Sequence, residues 1–167
     1  MNFDFIKIEC LTDDYKFIKD KMLHITEECN EKLKRSKLEK NDVLFSIAGA
    51  IGRTAIVNED ILPANTNQAL AIIRLKDSSN LNVEFFNEML HSSLIEEQVE
   101  NKKTGVAQTN LSLTDIGNLN IIIPDIKRQM EYANFVQQID KSKFIVQKQI
   151  KLLEELLEKK MNEYFVQ

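Results

Sequence analysis

Residues 1–124 contain short apolar runs separated by polar turns, and a long stretch with helical periodicity follows them. The apolar runs predict strands in the segments FDFIKI (3–8), YKFI (15–18), DVLFSIAG (42–49), TAIV (54–57), ALAIIRL (69–75) and NLNIIIP (118–124). Two helices are predicted among them, one that begins after Thr26 and ends near Lys37 and one of about 18 residues that begins after Asn82. The first part of the chain is therefore expected to fold as an α+β domain.

From Asp125 onward the chain contains neither glycine nor proline, which predicts one long helix. Eight positions that are alternately four and three residues apart form a coiled-coil seam in it. Six of these positions are apolar, namely Ile139, Val146, Ile150, Leu153, Leu157 and Tyr164, and the other two are Lys143 and Lys160. Such a seam needs a partner helix. At 1.5 Å per residue, residues 127–164 would span roughly 57 Å.

Composition and charge narrow the class of protein. With 43% hydrophobic and 29% charged residues the chain is typical of a globular protein and unlike a disordered one. It has no apolar run long enough to span a membrane and no recognisable signal peptide, so we expect a cytoplasmic protein without a membrane partner. The formal net charge of -4 argues against a protein that coats nucleic acid by bulk charge. A sequence-specific DNA reader, however, needs only a local positive surface.

The sequence contains no recognisable catalytic constellation. The turn GAIG (49–52) lacks both the ending of a phosphate-binding loop and the third glycine of a dinucleotide fingerprint. His24 and His91 stand alone in the sequence, and we expect surface or packing roles for them. Cys10 and Cys29 have no metal-binding spacing and are expected to be reduced thiols. We therefore expect a non-catalytic chain with no metal site and no cofactor of its own.

Four motifs occur in an order that resembles a known family. They are DVLFSIAGAIGRTAIV (42–57), NQALAIIR (67–74), GVAQTNLSLTDIGNLNIIIPDIKRQ (105–129) and the long helix. Together they are similar to the carboxy-terminal portion of a type I restriction-modification specificity subunit, and the resemblance covers nearly all of the chain. It implies a target recognition domain over residues 1–124, and a spacer and dimerisation helix over residues 125–167 that pairs as an antiparallel coiled coil.

The resemblance also implies a function and a set of partners. In this family the specificity subunit has two recognition domains, each of which reads one half of a split double-stranded DNA target. Modification subunits, which hold S-adenosylmethionine, then methylate adenine, and a motor subunit that uses ATP and Mg translocates and cleaves the DNA. This sequence has one recognition domain and begins inside it, so we expect a half-subunit or a fragment. A half-subunit would restore the two-domain arrangement as a homodimer through its helix.

Loop residues with polar side chains are the candidates for DNA contact, because such side chains can reach base edges. They follow the glycine turn or lie in the basic loop NKKTGVAQTNLS (101–112), and they are Arg53, Thr54, Lys102, Lys103, Thr104 and Gln108. Other motif residues are expected to support loops, because family members that read different sequences share them: Gly49, Gly52, Asn67, Gln68 and Asn110. Gln108 and the other amides could serve either purpose, and structural support is favoured for them.

Two hypotheses from different classes remain open at this point. In the first, the chain is a DNA-recognition module of a methylation and restriction complex. In the second, it is a structural protein that binds another helix through its coiled coil and whose globular part binds no DNA. A self-contained nuclease is disfavoured, because the sequence has no carboxylate-lysine or histidine-metal constellation.

Overall fold

The structure is a computed structural model, and it describes residues 3–76, 80–103 and 110–165. The chain divides into two compact units, Met1–Ile126 and Lys127–Gln167, which we call the head and the helical unit. The head contains six strands: β1 (Phe3–Ile6), β2 (Leu23–Ile25), β3 (Val43–Ser46), β4 (Thr54–Ile56), β5 (Ala64–Thr66) and β6 (Leu70–Ile73). The α-helices are α1 (Glu27–Lys32), α2 (Val83–Met89), α3 (Ser93–Lys103), α4 (Leu113–Gly117) and the long α5 (Ile126–Phe165).

The six strands form two three-stranded sheets. In the first sheet β1 lies in the centre, antiparallel to β2 and parallel to β5. In the second sheet β3 lies in the centre, antiparallel to both β4 and β6. Mixed strands with interspersed helices, followed by the long helix α5, confirm the predicted α+β class.

Strand β3 separates two hydrophobic cores. All four of its residues are buried, which agrees with the prediction of a buried strand. Because successive side chains of a strand point to opposite faces, Leu44 packs into one core with Ile6 and Leu11, whereas Val43 and Phe45 pack into the other. The second core is completed by apolar side chains of α2 and α3, namely Phe86, Met89, Ile95 and Val99.

The predicted strand over residues 15–18 was wrong. The backbone of Tyr15 has a φ of 65°, which a strand cannot contain. The hydroxyl of Thr12 accepts from the backbone N–H of Lys16 at 3.0 Å, so residues 12–16 form a tight turn. Only an isolated bridge between Leu11 and Phe17 remains of the expected pairing, and β2 pairs with β1 instead.

Both helices predicted in the head are shorter than expected. Thr26 and Asn82 cap α1 and α2 as predicted, because their side chains accept from backbone N–H groups in the first turn. Helix α1 ends at Lys32, and a 3-10 turn over Lys34–Ser36 follows it. The second predicted helix is interrupted after Met89, where the N–H groups of residues 91 and 92 bond to the carbonyls three residues earlier and tighten the chain.

The predicted strand over residues 118–124 was also wrong. The backbone of Asn120 is paired with a side chain, whereas a strand would need the backbone of a neighbouring strand. The Gln98 amide donates to the carbonyl of Asn120 at 3.0 Å, and its oxygen accepts from the Asn120 N–H at 2.8 Å. The segment therefore has the apolar side chains of a strand, but its backbone does not form the regular hydrogen bonds of a sheet.

The long helix agrees with its sequence pattern. Helix α5 continues through 40 residues, or about 60 Å at the standard rise, without interruption at the polar stretch 140–143. Every residue from 137 to 165 is exposed. Among the described residues, no helix is both long and apolar enough to cross a membrane.

Candidate nucleic-acid interface

The turn between β3 and β4 holds Arg53 in a defined position. Gly49 and Gly52 have φ values of 62° and 94°, which residues with a side chain rarely adopt. The hydroxyl of Ser46, at the end of β3, accepts from the backbone N–H of Arg53 at 2.8 Å and donates to the carbonyl of Ala50. The two glycines and the buried serine therefore fix the backbone from which the Arg53 side chain begins.

The Arg53 side chain is paired with the turn near the start of the chain. Its Nε donates to Oδ1 of Asp13 at 2.7 Å, and its Nη1 donates to the carbonyl of Leu11 at 3.4 Å. The side chains of Arg53 and Asp13 are 31% and 85% exposed, so the pair lies at the surface. An ion pair this exposed contributes at most about 1 kcal/mol to stability, so the pair orients the Arg53 side chain more than it stabilises the fold.

Arg53 and Lys103, both predicted as DNA contacts, line the same cavity of about 350 Å³. The cavity also carries acids, because Asp13, Glu96 and Glu100 lie on its wall. Lys103 Nζ is 3.1 Å from Glu100. The local surface therefore carries both acidic and basic side chains, whereas a sequence-specific DNA reader was expected to need a local positive surface.

Lys102 and Lys103 were predicted in a loop, and this was wrong, because they are the last two residues of α3. Lys102 faces α4 and not the cavity. Its Nζ lies 3.2 Å from Asp115, the third residue of that helix. Asp115 and Ser112 form a capping box, in which each side chain accepts from the other residue's backbone N–H. The hydrogen bonds from Ser112, followed by the bond from Lys102, lower the pKa of Asp115 to about 2. Lys102 thus contacts the first turn of α4 as well as carrying charge.

Thr54 was predicted as a surface loop residue, and this was wrong. It is the first residue of β4 and is fully buried. Its hydroxyl donates to Oδ1 of Asn87 at 2.7 Å and lies 2.7 Å from Nε2 of His91. In this arrangement the Thr54 side chain supports the site from within and presents no group to DNA.

His91 is part of this buried network, which agrees with the surface or packing role expected for it. Since the Thr54 hydroxyl donates to Asn87, it accepts from the N–H at Nε2 of His91. The ring stacks on Tyr15 with 3.6 Å between the centroids and 16° between the planes. Burial lowers the pKa of His91 to about 4. The histidine is therefore neutral near pH 7 and joins α2 to the turn that contains Asp13.

The remaining predicted residues of the head have different surroundings. Asn67 stabilises its own turn, because its Oδ1 accepts from the N–H of Ala69 at 3.1 Å. Gln68 and Asn110 are exposed. Thr104 and Gln108 lie outside the residues that the structure describes. The assignment of DNA contacts to Arg53, Lys102 and Lys103 remains a prediction.

Sequence reasoning missed Asp13, Tyr15 and the Asp42–Arg74 pair. Buried Asp42 accepts from Nε and Nη2 of Arg74 at 2.7 and 2.8 Å, so the first and last residues of two family motifs bind each other. The positions of Asp42 and Arg74 at the ends of motifs could have pointed to this pair. No feature of the sequence pointed to Asp13 or Tyr15, because their partners lie far along the chain.

The predicted seam of α5 is exposed along its length. Its apolar members are Ile139, Val146, Ile150, Leu153, Leu157 and Tyr164, and each is at least 37% exposed. A further row that includes Ile145, Leu152 and Leu156 is exposed beside it. The seam is therefore available for a partner helix.

Comparison with known proteins identifies the family. The family model of the type I restriction modification DNA specificity domain matches residues 2–156. The chain is 35% identical over 127 residues to the type I restriction enzyme EcoBI specificity subunit of Escherichia coli, in an alignment that covers 75% of this chain and 26% of that protein. The chain thus spans about a quarter of the curated relative's length.

A solved structure has the same fold. The HsdS subunit from Thermoanaerobacter tengcongensis matches with a TM-score of 0.74 at 17% identity, over 98% of this chain and 42% of that one. At this identity the likeness supports the fold alone. The motif resemblance noted in the sequence is confirmed by the family model and by the relative, and both agree with the expectation of a non-catalytic chain. This chain belongs to the type I restriction modification DNA specificity domain family.

Proposed function

We propose that this chain recognises one half of a bipartite DNA target and thereby directs adenine methylation and restriction to it. The observation that carries the proposal is the match to the specificity-domain family over residues 2–156. The arrangement of Arg53 and Lys103 at one cavity supports the assignment of DNA reading to the head. The surface ion pair between Lys103 and Glu100 can exchange for a contact with DNA, since exposed pairs are weak.

The helical unit is proposed to pair two copies of the chain. An exposed apolar seam of this length is costly in water and is covered when a second helix packs along it. Antiparallel pairing of two α5 helices would supply two heads from one gene. Because a twofold axis relates the two heads, their half-sites would be identical and inverted, and the target would be an interrupted palindrome.

The catalytic steps belong to partners in this proposal. Modification subunits would bind S-adenosylmethionine and transfer the methyl group, and through them a motor subunit would use ATP and Mg for translocation and cleavage. This chain would supply sequence recognition and the surface for their assembly. The complex would act in the cytoplasm, on the cell's own DNA and on incoming DNA.

Mapping of methylated adenines tests the proposal. Cells that express the modification subunit are compared with and without this gene, and one bipartite motif should be methylated only when the gene is present. The variant Ile150→Asp with Leu153→Asp should remove that methylation, whereas Lys148→Asp with Lys151→Asp, on the same helix but outside the seam, should retain it. An unchanged methylation pattern after deletion of the gene would instead favour the purely structural role.

A lengthened helix tests the role of α5 as a spacer. Four helical residues inserted after Ile150 add about 6 Å, which corresponds to roughly two base pairs. The unread spacer of the target should lengthen while the bases of each half-site stay the same. An unchanged spacer, or altered half-site bases, would contradict this role.

A further inference from the structure

We propose that Asp13 is a specificity-determining positioning residue, which holds the guanidinium of Arg53 so that its terminal amino groups read a guanine in the target. The inference rests on the proposed DNA-reading function and deepens it. Asp13 lies 40 residues before Arg53 and belongs to none of the family motifs in the sequence, so the structure alone brings the two together.

The turn that carries Asp13 is itself held in place at two points. Across the turn, the N–H of Thr12 donates to the carbonyl of Lys16 at 3.0 Å, and the Thr12 hydroxyl bonds the same residue. At its tip, the ring of Tyr15 stacks on His91 of the head. The carboxylate of Asp13 therefore approaches Arg53 from a defined backbone, and the Ser46 bonds do the same for Arg53 from the opposite side.

The hydrogen bonds of Arg53 leave the right donors available. A guanidinium has five N–H donors, of which Asp13 takes the one on Nε and Leu11 takes one on Nη1. Three donors therefore remain on Nη1 and Nη2, and none of them forms a hydrogen bond within the described part of the head. Guanine offers N7 and O6 side by side in the major groove, and a bidentate contact from arginine is the commonest specific contact there.

The charge balance of the pair also favours base reading. An unpaired arginine at the surface would attract any phosphate, and this attraction carries no sequence information. The carboxylate of Asp13, 2.7 Å from Nε, offsets the positive charge of Arg53 at short range. Together with the Leu11 carbonyl, which accepts from Nη1, it restrains the plane of the guanidinium, which is the property that a bidentate contact requires.

The test compares Asp13→Ala with Asp14→Ala, in the full chain with its modification subunits, by sequencing the duplexes that each protein selects from a random pool. Asp14 is a matched control, since it lies in the same turn and pairs with Lys16 at 3.0 Å without touching Arg53. In Asp13→Ala and Arg53→Lys, the preference at one guanine position should fall roughly tenfold or more while the other positions remain. Asp14→Ala should keep the wild-type preference at every position.

A second measurement separates positioning from a merely structural role. Asp13→Ala releases the charge of Arg53, so binding to unrelated duplexes should strengthen and the slope of log affinity against log salt should steepen by roughly one. An Asp13→Ala protein with the wild-type motif, or with a uniform loss at all positions, would overturn the inference. If Asp13→Ala does not fold, Asp13→Asn, which keeps an acceptor for Nε, should give an intermediate guanine preference. A wild-type chain that selects no motif would overturn the proposed function itself.

Discussion

The head and the helical unit treat their apolar side chains in opposite ways. In the head, Leu44 and Phe45 are fully buried on the two sides of one strand, each in its own core. In α5, Ile150 and Leu153 are 50% and 65% exposed. The head therefore contains the partners that its apolar residues need, whereas the seam of α5 is exposed, and in the proposed dimer a second copy would cover it. The stability of the head should come from contacts within one chain, whereas the stability of the helical unit should depend on protein concentration.

The largest expected effect is on the seam. Ile150→Asp with Leu153→Asp should raise the dissociation constant of the proposed dimer by more than about a thousandfold, because each buried apolar side chain contributes about 1.5–3 kcal/mol and the dimer would bury two copies of both. Light scattering measures the change from dimer to monomer. Lys148→Asp with Lys151→Asp is the control and should remain dimeric. A wild-type chain that is monomeric at high micromolar concentration would contradict the proposed pairing of the seam.

The same substitution in the two units should have unequal effects. Phe45→Ala removes a fully buried ring between β3 and the helices of the head, and the free energy of unfolding should fall by about 3–5 kcal/mol. Phe144→Ala removes a ring that is 68% exposed on α5 and lies outside the predicted seam, so the loss should be below about 1 kcal/mol. Chemical denaturation measures both values. Equal losses would show that the two units do not differ as described.

Acid should act on the head through His91. The folded chain keeps this histidine neutral down to a pKa of about 4, whereas the unfolded chain takes up the proton near the ordinary value of 6.5. Protons therefore favour the unfolded chain between these two pKa values. The stability that the neutral His91 contributes is fully present above about pH 6.5 and is lost as the pH falls toward about 4. The expected loss is about 1–2 kcal/mol, once the partial exposure of the ring is allowed for.

Replacement of His91 isolates this contribution. His91→Gln should show a smaller loss of stability between pH 6.5 and 5 than the wild type in thermal unfolding. His24→Gln, which leaves the Thr54–His91 contact in place, should keep the wild-type loss. The same acid sensitivity in His91→Gln as in the wild type would assign it to other groups.

The smallest expected effects differ in sign between the units. Ser112 caps α4, so Ser112→Ala should cost about 1 kcal/mol and raise the pKa of Asp115 toward its ordinary value. Ser142 lies within α5, where its hydroxyl bonds the carbonyl of Gln138 at 2.9 Å, and Ser142→Ala should stabilise that helix by a few tenths of a kcal/mol. Thermal unfolding and NMR titration of Asp115 measure these changes. Destabilisation by both substitutions would contradict the expected difference in sign between the head and the helical unit.

Local patterns predicted the parts of the fold that local chemistry determines. The absence of glycine and proline identified α5, the apolar run identified β3, and Thr26 and Asn82 marked the helix starts. The wrong predictions share a different cause. Residues 118–124 have the apolar pattern of a strand, but the pairing of their backbone depends on Gln98, which is distant in the sequence.

The candidate site was predicted only in part for the same reason. Arg53 was expected from its place after the glycine turn, which is a local feature. The contacts of its side chain with Asp13, and of Thr54 with His91, join residues that are 40 and 37 positions apart. Spacing and composition carry no signal for such pairs, so a buried threonine was mistaken for a surface one.

The pairing of Gln98 with Asn120 also bears on the solubility of the protein. The isoleucines at 121, 122 and 123 are exposed, and extended apolar segments of about five to seven residues can recruit other chains into cross-β aggregates. Gln98 occupies both backbone groups of Asn120, and Pro124 has no N–H to offer at the other end. Only three residues with unrestricted backbone groups lie between them, fewer than such a template requires. A single glutamine side chain on α3 is thus expected to limit the pairing of this apolar run with other chains, although the isoleucine side chains stay exposed.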